Sequence, residues 1–109
     1  MKFTFSIPAW GDWHIFMYLK HVLASHAAAG LEGRYLVHTT ALGQRILKGK
    51  IEHELPMCDV KYVIVDPKAS YFQFSEYHQE AFDSSEVCMF LQADAMVAPT
   101  TFTAIRKAV

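Results

Sequence analysis

Residues 87–94 read Val-Cys-Met-Phe-Leu-Gln-Ala-Asp, an apolar run that stops abruptly at polar residues. An unbroken apolar run of this length is typical of a strand that is covered on both faces in a parallel sheet. We therefore expect a central strand over residues 87–91. Gln92 and Asp94 would then follow directly at its carboxyl end.

Three further strand patterns precede this one. They are predicted at residues 3–8, where Pro8 ends the alternation, at residues 34–39 and at residues 60–65. The stretch 51–55 also alternates like an edge strand before Pro56.

Helical spacing of apolar residues separates these strands. It predicts a helix over residues 13–29, with Asp12 as N-cap and Gly30 as stop signal, and a short helix after Thr40 that ends near Gly49. Two more helices are predicted, one that begins at Ser70 or Ser75 and extends through Phe82, and one that begins at Thr100 or Thr101.

Alternating strands and helices predict a single α/β domain over residues 1–109, with a mostly parallel sheet and helices on both faces as a three-layer fold. In such sheets, ligands bind beyond the carboxyl ends of the strands. The candidate site segments are therefore Pro8–Asp12, His38–Thr40, Val65–Pro67 and Gln92–Asp94.

Composition narrows the class of protein. Of the 109 residues, 52% are hydrophobic and 19% charged, and the formal net charge is -1 without a run of one sign. Because nucleic acids and anionic membranes require clustered Lys and Arg, neither is an expected partner. No stretch is long enough for a membrane span, so we expect a cytoplasmic protein with Cys58 and Cys88 as reduced thiols.

Three segments at the predicted strand ends resemble a known family. Residues 5–10 (Phe-Ser-Ile-Pro-Ala-Trp), 34–39 (Arg-Tyr-Leu-Val-His-Thr) and 90–94 (Phe-Leu-Gln-Ala-Asp) together resemble the first half of the GT-A nucleotide-diphospho-sugar transferases, which are glycosyltransferases with a Rossmann-like sheet. The resemblance implies a nucleotide-diphospho-sugar as ligand. It implies that Pro8, Ala9 and Trp10 pack on the nucleotide, and that His38 and Thr39 lie near the base.

The same resemblance implies a metal site after the last strand. In the family, two acids separated by one residue hold a divalent cation, Mg²⁺ or Mn²⁺, against the diphosphate. These positions fall on Gln92 and Asp94, so this sequence keeps only the second acid. Since hard cations prefer charged oxygen ligands, the affinity for metal should be weaker. Asp94 is a metal or ribose ligand in one interpretation and a turn-capping residue in the other.

Other candidates have structural alternatives. Trp10 or Trp13 could stack on a base, or both could pack over the sheet edge. His38, Thr39 and Thr40 could contact a base or ribose, while Thr40 could equally cap a helix. The histidines lack the spacing of a zinc site, and the sequence contains neither a Walker motif nor a GxGxxG motif. No Ser-His-Asp or Cys-His arrangement can be assembled, so nucleophilic catalysis has no support.

Length limits the enzymatic interpretation. A transferase of this type needs a base and an acceptor pocket, usually from sequence after the acidic motif, and only one helix follows Asp94. Catalysis by this chain alone is therefore undecided. The alternative is a non-catalytic α/β module that associates with itself or with a second protein chain through an exposed sheet edge. Gln92 and the aromatic, Met-rich composition favour that alternative.

Overall fold

The structure is a computed structural model that describes residues 3–66, 68, 79 and 87–108. Its four strands form one parallel sheet in the order β3-β2-β1-β4. The prediction of an α/β fold with a parallel sheet is confirmed. The strands are β1 (Phe3–Pro8), β2 (Gly33–Thr39), β3 (Cys58–Ile64) and β4 (Val87–Phe90).

Both faces of β1 are excluded from solvent. Side chains alternate along a strand, so Phe5 and Ile7 lie on one face, and Thr4 and Ser6 lie on the other. All four are buried. The face of Phe5 packs into the main hydrophobic cluster, which also contains residues from the helices that follow β1 and β2.

A helix follows β1 and contains a wider turn at its centre. It consists of α1 (Asp12–Met17), a π-helical turn (Tyr18–Val22) and α2 (Leu23–Ala28), with no gap between them. The helix predicted over residues 13–29 is confirmed, and Gly30, at φ +66°, follows its end. Asp12 is not the N-cap, because it is already helical and Gly11 occupies the N-cap position.

The helix after β2, α3 (Ala41–Glu54), is longer than predicted. Thr40 caps it as expected, since its Oγ1 accepts a hydrogen bond of 3.0 Å from the Gly43 N–H. Residues 51–55, which alternate like an edge strand, belong to this helix up to Glu54. Ile51 lies one turn after Leu47 and both are completely buried, so their helical spacing decides the structure of this stretch.

The C-terminal part of the described chain forms β4 and α4 (Thr101–Ala108). The final helix was predicted and is confirmed. Among the described strands, however, β4 pairs with β1 alone, and its residues are half-buried or exposed, so the prediction of a central strand is wrong there. The helix predicted between Ser70 and Phe82 lies outside the described residues. None of the described helices is long and apolar enough to cross a bilayer.

A polar network lies inside the core, beside the π-helical turn. The Tyr35 hydroxyl is 2.8 Å from the Tyr18 hydroxyl and 2.7 Å from Nδ1 of His26. All three side chains are buried, and His26 Nε2 has no hydrogen-bond partner among the described residues. Burial raises the pKa of both tyrosines and lowers the pKa of His26 to about 4. All three groups are therefore neutral in the folded protein at pH 7.

Candidate functional site at the carboxyl edge of the sheet

The carboxyl ends of all four strands meet at one edge of the sheet, because every pair is parallel. The direction in which successive strands are added to the sheet reverses between β1 and β4. The chain passes from β1 to β2 to β3 in one direction and then returns to β4 on the opposite side of β1. Loops that leave β1 and β4 therefore diverge, and this crevice is where parallel α/β sheets usually bind ligands.

The candidate residues of the first and last strands lie on the two sides of that crevice. Ser6 of β1 is in register with Phe90 of β4, and the Leu91 N–H donates to the Ser6 carbonyl at 2.8 Å. Two residues further along each strand, Pro8 and Gln92 occupy neighbouring strand ends. The structure thus brings the loop after β1 close to the segment that carries Gln92 and Asp94.

The packing of Pro8, Ala9 and Trp10 on a nucleotide stays a prediction. All three are buried, and the Ala9 N–H donates to the His38 carbonyl at 2.9 Å. A ligand at this edge would meet the exposed residues that follow, Gly11 and Asp12. Gly11 has φ +87°, a conformation that favours glycine, and apart from its chain neighbours no described residue lies within 4 Å of the position that a Cβ would take. The loop therefore offers close access to its backbone.

The start of α1 lacks the side-chain cap that α3 has. Gly11 at the N-cap position has no side chain to accept a hydrogen bond from the first turn. The first N–H groups of a helix have no partner within the helix, and together with the helix dipole they attract phosphate oxygens. The loop after β1 thus ends in a backbone arrangement that suits an anionic group.

A cleft of about 190 Å³ lies between the starts of α1 and α3, beside the ends of β1 and β2. Its aliphatic residues, Ile15, Leu42 and Ile46, were not predicted as part of the site, because helical periodicity marks them only as possible core. A larger cleft of about 420 Å³ lies between later turns of the two helices, around Leu19, Leu23 and Lys50, away from the strand ends. The smaller cleft is lined by Trp10, Gly11, Asp12, Ile15, Thr40, Leu42, Gly43 and Ile46.

His38 and Thr39 are enclosed rather than presented to solvent. His38 is completely buried, with Nε2 2.9 Å from Ser6 Oγ on one face of the sheet. Thr39 is completely buried on the other face, under Gly43 of α3, where a side chain on Gly43 would overlap Thr39 Oγ1. Their contact with a nucleotide stays a prediction. Thr40, which is half-buried, is the residue of this strand end that lines the cleft.

Gln92 and Asp94 are exposed on either side of the buried Ala93. A carboxylate and an amide oxygen are both ligand types that Mg²⁺ and Mn²⁺ accept. Within residues 3–66 and 87–108, no group of three His, Cys, Asp or Glu side chains comes together that could hold a metal ion. A cation at Asp94 would therefore need most of its ligands from a bound diphosphate and water. Asp66, which follows β3, forms a turn in which its side chain accepts a hydrogen bond of 2.8 Å from the Lys68 N–H.

Comparison with protein-family models gives no match, and comparison with curated proteins gives none. Among solved structures, the chain is similar to a crystal structure of TarS residues 1–349 from S. aureus. The TM-score is 0.65 at 15% sequence identity, and the match covers 98% of this chain and 32% of the TarS chain. The chain thus spans about a third of that structure. TarS is a glycosyltransferase. The likeness shows that this chain has an α/β fold similar to part of such an enzyme.

Proposed function

We propose that the chain is the nucleotide-sugar-binding part of a glycosyltransferase of the GT-A type. The ligand, a nucleoside diphosphate linked to a sugar, would bind at the carboxyl edge between the loop after β1 and the segment Gln92–Asp94. The single observation that carries the proposal is the fold match, which extends over 98% of the chain. Sugar transfer also needs a base and an acceptor pocket, and no residue is assigned to either role.

The base and the diphosphate of the ligand can each be assigned to a different part of this edge. The cleft between the starts of α1 and α3 has apolar walls at Ile15, Leu42 and Ile46, and polar groups at Asp12 and Thr40. This combination suits a flat base, with the polar groups available for hydrogen bonds. The uncapped start of α1 would receive phosphate oxygens, and Asp94 would face the diphosphate from the β4 side.

A bound divalent cation would neutralise the negative charge of the diphosphate. Asp94 is the residue that would hold it, with Gln92 as a neutral oxygen donor beside it. Because this site offers one carboxylate, we expect the cation to bind together with the nucleotide rather than to the free protein.

Removal of the Asp94 carboxylate should weaken nucleotide binding in the presence of Mn²⁺. We expect Asp94→Ala to raise the Kd for UDP or GDP roughly 10- to 100-fold, the usual cost of losing a charged ligand group. Isothermal titration calorimetry with both nucleotides and their sugars, with and without Mn²⁺, measures the effect. Asp59→Ala is the matched control, because it removes an exposed carboxylate from β3 with the same change in charge. Equal affinity for all three proteins would exclude Asp94 from the site.

A second candidate function is an α/β module that binds another protein chain. Trp13 and Phe16 of α1 are 56% and 55% exposed, and Leu42 of α3 is 57% exposed. Large exposed aromatic and aliphatic side chains are enriched where proteins associate. Sedimentation of the purified chain separates the two functions: nucleotide-independent association favours the module, and a monomer that binds nucleotide favours the donor site.

A further inference from the structure

We propose that Ser25 is a positioning residue that holds the segment Ala93–Val97, and with it Asp94, against α2. The inference rests on the proposed function, because it concerns the segment that would face the diphosphate. Ser25 is buried, and it lies outside the strand ends to which sequence reasoning directs attention.

The Ser25 hydroxyl joins two distant parts of the chain. Its Oγ donates to the Val22 carbonyl at 2.7 Å and accepts from the Val97 N–H at 3.2 Å. A hydroxyl has one donor and two acceptor positions, so both hydrogen bonds form at once. The second bond connects residues 72 positions apart in the sequence.

The segment between Ala93 and Val97 is held at its two ends and by one local hydrogen bond, in which the Ala95 N–H donates to the Gln92 carbonyl at 3.4 Å. Leu91 and Ala93 are buried next to the end of β4, and the Leu91 N–H is bonded to β1. Val97 is half-buried against the hydrophobic cluster. The residues between these ends, Asp94, Ala95 and Met96, are all exposed. Asp94 therefore lies in a small turn, and the place of this turn against α2 depends on where Val97 is held.

The hydrogen bond from Ser25 to the helix reaches the last residue of the π-helical turn. The turn ends at Val22, and the carbonyl of that residue is the one that Ser25 Oγ bonds. The hydrogen bond to Val22 orients the hydroxyl, so that its lone pairs are available to the Val97 N–H. In this arrangement, one serine links the irregular helical turn to the segment that carries the candidate ligand group.

Two variants distinguish the role of the Ser25 hydroxyl from that of the rest of the side chain. Ser25→Ala removes both hydrogen bonds, whereas Ser25→Thr keeps a hydroxyl, and Thr Oγ1 in a helix can bond the carbonyl three residues earlier. We expect Ser25→Ala to accelerate hydrogen exchange at the Val97 amide roughly 2- to 10-fold, the effect of losing one hydrogen bond. We expect a similar weakening of UDP affinity in the presence of Mn²⁺. Ser25→Thr should resemble the unaltered protein in both measurements.

The two measurements distinguish the failure of this inference from the failure of the proposed function. Faster Val97 exchange together with a raised Kd, both restored by Thr, supports the positioning role. Unchanged Val97 exchange in Ser25→Ala overturns it, as does faster exchange with an unchanged Kd. If the unaltered protein binds neither UDP nor GDP, the donor site is wrong, and Val97 exchange alone then decides whether Ser25 holds the segment.

Discussion

Replacing Phe102 with alanine should lower the free energy of unfolding by about 3–5 kcal/mol, the usual cost of deleting a fully buried aromatic ring. Phe102 is only 2% exposed and attaches α4 to the sheet. Its ring packs edge-on against Phe3 at 5.3 Å and against Phe5 at 5.4 Å between ring centres. Since domains are stable by roughly 5–15 kcal/mol, this is a large share of the total.

Urea unfolding followed by circular dichroism measures the loss. Thr103→Ala is the matched control, because Thr103 is exposed on the same helix and its replacement should change stability by less than about 0.5 kcal/mol. The loss of unfolding free energy in Phe102→Leu should lie between those of the other two variants, since leucine retains much of the apolar volume. If the free energy of unfolding of Phe102→Ala lies within 1 kcal/mol of that of the unaltered chain, the packing of α4 on the sheet does not stabilise the core.

Acid should destabilise the fold through His26. In the unfolded chain this histidine binds a proton below about pH 6.5, whereas in the folded protein burial lowers its pKa to about 4. The unfolded state therefore holds more protons between these values, and the free energy of unfolding falls as the pH decreases through that window. The loss amounts to ~3 kcal/mol and stops growing below about pH 4, where both states are protonated.

A variant that cannot titrate isolates this contribution. His26→Asn places an amide group near the position of Nδ1, so a hydrogen bond with the Tyr35 hydroxyl can still form. Chemical unfolding at pH 7 and pH 4 should show ~3 kcal/mol less loss for His26→Asn than for the unaltered protein. An equal loss in both proteins would mean that the His26 ring is accessible to protons in the folded state.

Much of the fold follows from local patterns that agree with tertiary packing. Pro8 ends β1, Thr40 caps α3 and Gly30 follows α2, because each residue type suits one backbone position whatever surrounds it. Where local patterns conflict, packing decides. Residues 51–55 alternate between apolar and polar, but Leu47 and Ile51 also share a helical face. Burial of that face against the sheet stabilises the helix over the strand.

Other features could not be predicted, because they depend on contacts between distant segments. An apolar run such as 87–91 indicates a strand but not its place in the sheet, and β4 pairs with one described strand. The π-helical turn has no simple sequence signature. The core network also depends on distance in space, since Tyr18, His26 and Tyr35 meet only after the helix packs on β2.

In the candidate site, too, some features follow from the sequence and others depend on contacts between distant segments. Topology alone places the loops after β1 and β4 at one edge, as predicted. Accessibility depends on what covers each face: His38 and Thr39 belong to the correct strand end, yet Ser6 and Gly43 enclose them. Among the described candidate residues at that edge, Gly11, Asp12, Gln92 and Asp94 are exposed and Thr40 is half-buried.

The most direct test of the central claim is to map amide chemical shifts by NMR as UDP and Mg²⁺ are added. The donor-site account predicts that the largest changes occur at Gly11, Asp12, Thr40 and Asp94, on the carboxyl edge of the sheet. Amides before β2 and β3, such as Glu32 and Met57, should not change, because they lie at the opposite edge. Changes confined to that opposite edge, or no changes at saturating nucleotide, would contradict the account.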